Sequence, residues 1–305
     1  MASLRFTLRS GRALGITTHG SPITRHVVVF CHPAPGSGIF DPDPVVTADG
    51  DVHVIAIDRP GYGSSDPLPD GQWPTVIGAA NDISEYLLQA EGAAGAFHPS
   101  AFESVSVMGW SAGGRVALAL ATMHPSLIHR VAVIATPAPN EEVEWIPAGY
   151  AEASEKLAAL PAEDAIEKFT GMFDSQMADQ LPAPHSDAPV PLDLLGISGA
   201  DAPALSGPGV QERLELMMRD ALRQGTIGVV TDILSYTARP WGFDLGDVRA
   251  RTLLVYGQND RRVTADHAAW YRRNLPDATV ELVPGVGHLV VVPAWKRVLE
   301  HLVGE

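Results

Sequence analysis

The chain has little of several things that would point to other functions. Cysteine occurs once in 305 residues, at Cys31, so no internal disulfide can form. Cys31 ends an apolar run and reads as a small core residue rather than a nucleophile. No apolar run approaches the roughly 18 residues that span a bilayer. The N-terminal arginines are followed by no apolar stretch, so no signal peptide is expected and a cytoplasmic location is the default. No Cys/His grouping has zinc spacing, and H-E-x-x-H, a Walker loop and a dinucleotide G-x-G-x-x-G are all missing. The chemistry is therefore expected to need no cofactor and no metal. Basic residues are scarce: 21 Lys and Arg stand against 36 Asp and Glu, a formal net charge of −15. Such a surface repels phosphates and anionic headgroups. Nucleic acid and membrane are not expected partners; a small-molecule substrate is, and a homodimer is left open.

What is present is a sizeable apolar fraction, 46% of residues, enough for one large α/β domain or a core with a lid. Short apolar runs alternate with helical patterns, as a mostly parallel sheet requires. Strands are expected near 3–9, 12–18, 26–31, 51–57, 103–108, 130–135, 251–256 and 279–283, the first two as a hairpin through Ser10-Gly11. Helices are expected near 76–91, 113–124, 264–274 and 292–303. From 138 to 244 the strand period is lost. Helical stretches fall near 148–159, 162–173, 209–224 and 226–236, with a Pro-, Ala-, Gly- and Asp-rich loop over 181–208.

The most informative stretch is Gly109-Trp110-Ser111-Ala112-Gly113. It lies between a β-rich run and an Ala-rich helical run, so a serine sits at the tip of a strand-turn-helix. A serine hydroxyl attacks only when it projects into a site where a base can take its proton. A sharp turn does the projecting, and the residues two places either side must be small. This is the G-x-S-x-G nucleophile elbow. An acid and a histidine should follow in that order, each just past a strand. Asp260 follows the run Arg251 to Tyr256, and His288 follows Thr279 to Val283 on a Gly-rich loop. In these roles His288 takes the Ser111 proton and returns it to the leaving group, while Asp260 holds the imidazole tautomer. Glu141 and Glu142 are weaker alternatives for the acid, because they lie beyond Pro137 and Pro139. Asp266 reads as a helix N-terminal charge.

With these residues the chain resembles the α/β-hydrolase superfamily. The loop His32-Pro33-Ala34-Pro35-Gly36-Ser37 is similar to the family's His-Gly loop, and Asp58-Arg59-Pro60-Gly61-Tyr62-Gly63-Ser64-Ser65-Asp66 to its D-x-x-G-x-G-x-S turn, read here as scaffold. The resemblance implies an α/β fold with an eight-stranded, mostly parallel sheet flanked by helices and a helical cap after the sixth strand. The core would span 1–137 and 245–305, the cap 138–244. The resemblance also implies an oxyanion hole built from the N–H groups of Ala112 and Ala34. Pro33 stands where the family often has glycine and has no N–H to give. His32 reads as a loop organiser.

The cap would shape the substrate pocket. Trp145, Met172, Phe173, Met217, Met218 and Trp241 are its candidate lining residues, with Trp110, Phe40 and Leu289 from the core. The first functional expectation is a serine hydrolase cleaving a small ester, thioester or lactone through an acyl-enzyme. Prolyl-aminopeptidase-like cleavage, with Glu141, Glu142 and Glu144 holding a substrate amine, and carbon–carbon bond hydrolysis are the alternatives within enzymes. A ligand receptor on a hydrolase fold with slow turnover is the alternative outside them. Dehalogenase and epoxide hydrolase chemistry is disfavoured, because such relatives use an aspartate at the Ser111 position.

Overall fold

A computed structural model of the chain describes residues 2–90, 104–181, 188 and 190–304. Glu103 of the fifth expected strand, Glu91 of the first expected helix and most of 182–189 lie outside the described residues. Eight strands form one sheet in the order β1-β2-β4-β3-β5-β6-β7-β8. The strands are β1 (Ala2–Thr7), β2 (Ala13–Gly20), β3 (His26–Cys31), β4 (His53–Ile57), β5 (Ser104–Trp110), β6 (Ile128–Ile134), β7 (Arg251–Gly257) and β8 (Ala278–Val283). β2 runs antiparallel to both β1 and β4; every other pairing is parallel. β4 is buried throughout, which is why it reads as an unbroken apolar run rather than an alternating one. The β1–β2 turn closes where expected, with Gly11 at φ 87°, a conformation that costs glycine nothing.

Ten α-helices accompany the sheet among the described residues: α1 (Pro44–Asp49), α2 (Val76–Ala90), α3 (Gly113–Met123), α4 (Ala148–Ala158), α5 (Ala162–Met177), α6 (Ala202–Leu205), α7 (Val210–Ala221), α8 (Ile227–Thr237), α9 (Ala265–Asn274) and α10 (Trp295–Val303). One face of the sheet is closed by α2, α3 and α9 around Val27, Val107, Val133 and Leu254. The other is closed by α10, which contributes Val298 and Leu302, and by α7, which contributes Leu214, Met217 and Met218. α4 to α8 all fall between β6 and β7.

Three local differences from the sequence expectation have clear causes. α1 has only six residues, too short for periodicity to reveal. Its signals were Asp43, whose side chain accepts from the Val45 and Val46 amides, and a proline in the first turn. The expected loop over 181–208 contains 3₁₀ turns at Leu192–Leu195 and Gly199–Asp201 as well as α6. The last helix starts three residues late, because the segment His288–Val291 forms its own 3₁₀ turn. No helix among the described residues is long and apolar enough to cross a membrane.

Candidate active site

Ser111 stands at the end of β5 with φ 53°, a left-handed conformation that costs a non-glycine residue on the order of 1 kcal/mol. The turn is held by the Ser111 amide donating to the Ile134 carbonyl of β6 at 2.8 Å. Two glycines make the crossing of strand and helix possible. A Cβ on Gly109 would meet the Gly113 carbonyl, and one on Gly113 would meet the carbonyl of Cys31.

Asp260 and His288 are brought together from the loops after β7 and β8. The His288 Nδ1 donates to Asp260 Oδ2 at 2.7 Å, with both residues buried. The other carboxylate oxygen accepts from the Arg262 and Val263 amides, each at 2.9 Å. Burial opposes ionisation of Asp260, but the hydrogen bond and charge attraction of His288 and the two amides outweigh it. The carboxyl is held below the usual aspartate range. With Nδ1 donating, Nε2 of a neutral His288 is left as an acceptor. Glu142 is elsewhere, accepting from the Trp270 indole at 3.2 Å.

The backbone around His288 is pinned on both sides by side chains that the sequence reading did not assign to it. Asp201, fully buried, accepts from the Gly287 and Leu289 amides at 2.9 and 3.0 Å. Its second oxygen accepts from the Ser198 amide at 2.9 Å. Trp110 Nε1 donates to the His288 carbonyl at 3.0 Å. The only trace of Asp201 in the sequence is Ser198-Gly-Ala-Asp201, the spacing of a helix-capping box.

The 32–38 loop after β3 is organised by His32 and Arg59. His32 Nδ1 donates to the Pro33 carbonyl at 2.7 Å, and Nε2 accepts from the Arg59 amide at 3.1 Å. Burial and the nearby Arg59 charge hold this imidazole well below the usual histidine range, so it is neutral. The Arg59 guanidinium donates to the His32 and Pro33 carbonyls at 2.6 and 2.9 Å. Its other edge pairs with Asp232 of α8, Nε to Oδ1 at 3.0 Å and a terminal nitrogen to Oδ2 at 2.6 Å. The turn read as scaffold is thus also the link between this loop and α8. Asp58 adds a second tie, accepting from the Gly38 and Ser64 amides; burial pushes its carboxyl up to about 6. Asp232→Ala is expected to destabilise the protein by about 3–5 kcal/mol, since it strands the buried Arg59 charge. Urea unfolding measures this, and adding Arg59→Met should recover part of the loss. A midpoint equal to wild type in the single variant would mean that the pair contributes nothing.

Ser111, Ala112, His288 and Ala34 border one cavity of about 500 Å³. Neither the Ala34 nor the Ala112 N–H donates to another described residue. Trp145, Met172 and Phe173 line the cavity as expected. The remaining lining candidates do not. Met217, Met218, Phe40, Trp110 and Leu289 are fully buried in the core beneath α7, because α7 packs its apolar stripe onto the sheet side. Trp241 stacks on Phe243 and Tyr271 at the other face. Missed were Leu157, Phe169, Val229, Ile233 and Tyr236 of α4, α5 and α8, and Arg115 of α3. Glu141, Glu142 and Glu144 do not border the cavity.

Comparison with known proteins agrees with this architecture. Residues 26–293 match the family described as "alpha/beta hydrolase fold". A 2-hydroxy-6-oxononadienedioate/2-hydroxy-6-oxononatrienedioate hydrolase of Cupriavidus pinatubonensis is 23% identical over 248 residues, 81% of this chain and 72% of its own. A pimeloyl-[acyl-carrier protein] methyl ester esterase of Aromatoleum aromaticum is 28% identical over 190 residues, 62% of this chain and 69% of its own. Among solved structures, a thermophilic esterase from Thermogutta terrifontis superposes with a TM-score of 0.66 at 20% identity, covering 98% of this chain and 96% of its own. With a family match running from β3 to beyond His288, the chain belongs to the α/β-hydrolase fold family.

Proposed function

We propose that the chain is a serine hydrolase acting on a small carboxylic ester, thioester or lactone. The observation that carries this is the shared cavity: Ser111, on a strained turn, and His288, hydrogen-bonded to a buried Asp260, border the same space. In this reading His288 Nε2 takes the Ser111 proton as Oγ attacks the carbonyl. The Ala112 and Ala34 amides receive the negative oxygen; one such donor lowers the barrier by about 3 kcal/mol in related chemistry. The leaving group departs with the proton from His288, and water, activated by the same imidazole, releases the acid. Asp260 fixes the tautomer and offsets the imidazolium charge. The α4–α8 segment acts as the cap. Its apolar residues over the cavity favour a substrate with a hydrophobic body.

The test is a fluorophosphonate probe with the adduct located by mass spectrometry, alongside turnover of p-nitrophenyl esters. Labelling at Ser111 that disappears in His288→Ala, with repeated turnover, is the expected result. No adduct and no turnover would overturn the reading and favour a ligand receptor.

Carbon–carbon bond hydrolysis is the second reading, favoured by the likeness to the nonadienedioate hydrolase. It uses the same three side chains. Loss of ultraviolet absorbance from a 2-hydroxy-6-oxodienoate, faster than ester turnover, would decide for it.

A further inference from the structure

Arg115 is a buried cation with no counterion among the described residues. It lies four residues beyond Ser111, about one helical turn along α3, and helical side chains lean back toward the N-terminus. Its side chain borders the cavity yet is only 1% exposed. One terminal nitrogen donates to the Pro137 carbonyl at 2.8 Å, while Nε is buried with no hydrogen-bond partner. No carboxylate among the described residues forms an ion pair with it. Aromatic rings surround the guanidinium instead. Its central carbon lies 4.3 Å from the Tyr236 ring centroid, 5.2 Å from Trp241 and 5.8 Å from Trp145. Such rings stabilise the charge but leave the Nε hydrogen without an oxygen or nitrogen acceptor. A further partner must therefore approach edge-on, as a hydrogen-bond acceptor.

The molecule supplies its own comparison. Arg59 is equally buried, and its Nε edge is occupied by the two oxygens of Asp232. On Arg115 the terminal nitrogen of that edge meets only the Pro137 carbonyl, and its Nε meets no acceptor. The other charged residues bordering the cavity, Arg262 and Asp193, are exposed at its rim. Among the described residues Arg115 is thus the one charged side chain lining the buried part of the cavity, the Asp260 carboxylate standing behind His288, in a protein whose formal net charge is −15.

We propose that Arg115 receives a carboxylate carried by the acyl part of the substrate, so that the cavity takes half-esters of short dicarboxylic acids in preference to esters of simple fatty acids. This rests on the hydrolase reading for the rates but not for the binding. A planar guanidinium edge and a carboxylate match in two parallel hydrogen bonds, and the aromatic cage holds the guanidinium in register for them. The acid end of the acyl chain then sits about one helical turn from Ser111, which fixes where the scissile carbonyl lies.

The experiment compares kcat/KM for mono-p-nitrophenyl glutarate and adipate with the neutral p-nitrophenyl esters of equal chain length. The carboxylate esters are expected to be favoured by about ten- to a hundredfold, the scale of one charge-assisted hydrogen bond. Arg115→Met should bring the ratio near one, and Arg115→Lys should keep part of it. A role in packing alone would lower both rates and leave the ratio unchanged. In parallel, calorimetry measures binding of free glutarate and adipate to Ser111→Ala and to Ser111→Ala/Arg115→Met. Binding to the first and not the second is expected. A ratio near one in the wild-type protein overturns the proposal even if Arg115→Met fails to fold. Equal calorimetric binding to both variants overturns it too, as does no binding to either. Absence of a fluorophosphonate adduct on Ser111 would instead overturn the hydrolase reading, and calorimetry would still decide on Arg115.

Discussion

Ser111→Ala should lower turnover of any ester substrate by about 10⁶, the scale seen when a nucleophilic serine is removed, while leaving the fold intact. The second half of that expectation is structural. The turn is held by the Ser111 amide on the Ile134 carbonyl, and the crossing by glycines at 109 and 113. None of these uses the hydroxyl. Alanine carries the same Cβ into the same positive-φ conformation, so the strain is unchanged. Steady-state turnover and thermal unfolding measured on the same preparation check both parts. Activity within tenfold of wild type would remove Ser111 from the chemistry. Lost activity with a collapsed melting temperature would say only that the turn needs serine.

Asp260→Asn should cost about 10⁴ in turnover, by analogy with other triads. The asparagine can keep the two bonds from the Arg262 and Val263 amides through its carbonyl oxygen. It then turns an NH₂ toward His288 Nδ1, which must accept. The imidazole proton moves to Nε2, and the base no longer has a lone pair for Ser111. Glu142→Gln is the matched control, and a larger loss there would move the acid to the other loop. The same substitution carries a pH signature. A carboxyl held below its ordinary range binds a proton less readily in the folded protein than in the unfolded chain. Its stabilisation is complete above about pH 4 and fades as pH falls through the lower, native value. The stability difference between wild type and Asp260→Asn, followed by urea unfolding, should therefore shrink as pH is lowered from 6 toward 3. A difference that grows instead would mean that the carboxyl is raised.

How far the site could be read from the chain depends on how local each signal is. Ser111, Asp260 and His288 each sit on a short strand-loop segment whose own residues mark it, so position and order were legible. β3 and β4 were equally so, being unbroken Val- and Ile-rich runs. Met217 and Met218 were misplaced because helical spacing shows that α7 has an apolar stripe, not whether that stripe meets a cavity or a sheet. Trp110 is adjacent to Ser111 in sequence, yet its side chain is buried in the core with Phe40 and Leu289, from where its indole holds the His288 carbonyl. Asp201 and Asp232 left almost no local trace. Their partners are 86 and 173 residues away, and two aspartates in an acid-rich chain do not stand out.

Those two aspartates also set an order of events when the chain folds. β1 to β6 and the elbow can assemble from the first half of the sequence, but Arg59 has no carboxylate to meet until α8 has formed and docked. The His288 loop likewise waits for Asp201. Until those segments dock, the loops that carry His32 and His288 lack the carboxylates that hold them. Grafting experiments inherit the same constraint: a segment exchanged between β6 and β7 must bring both carboxylates with it, or the recipient scaffold will fold around two loops left without their anchors.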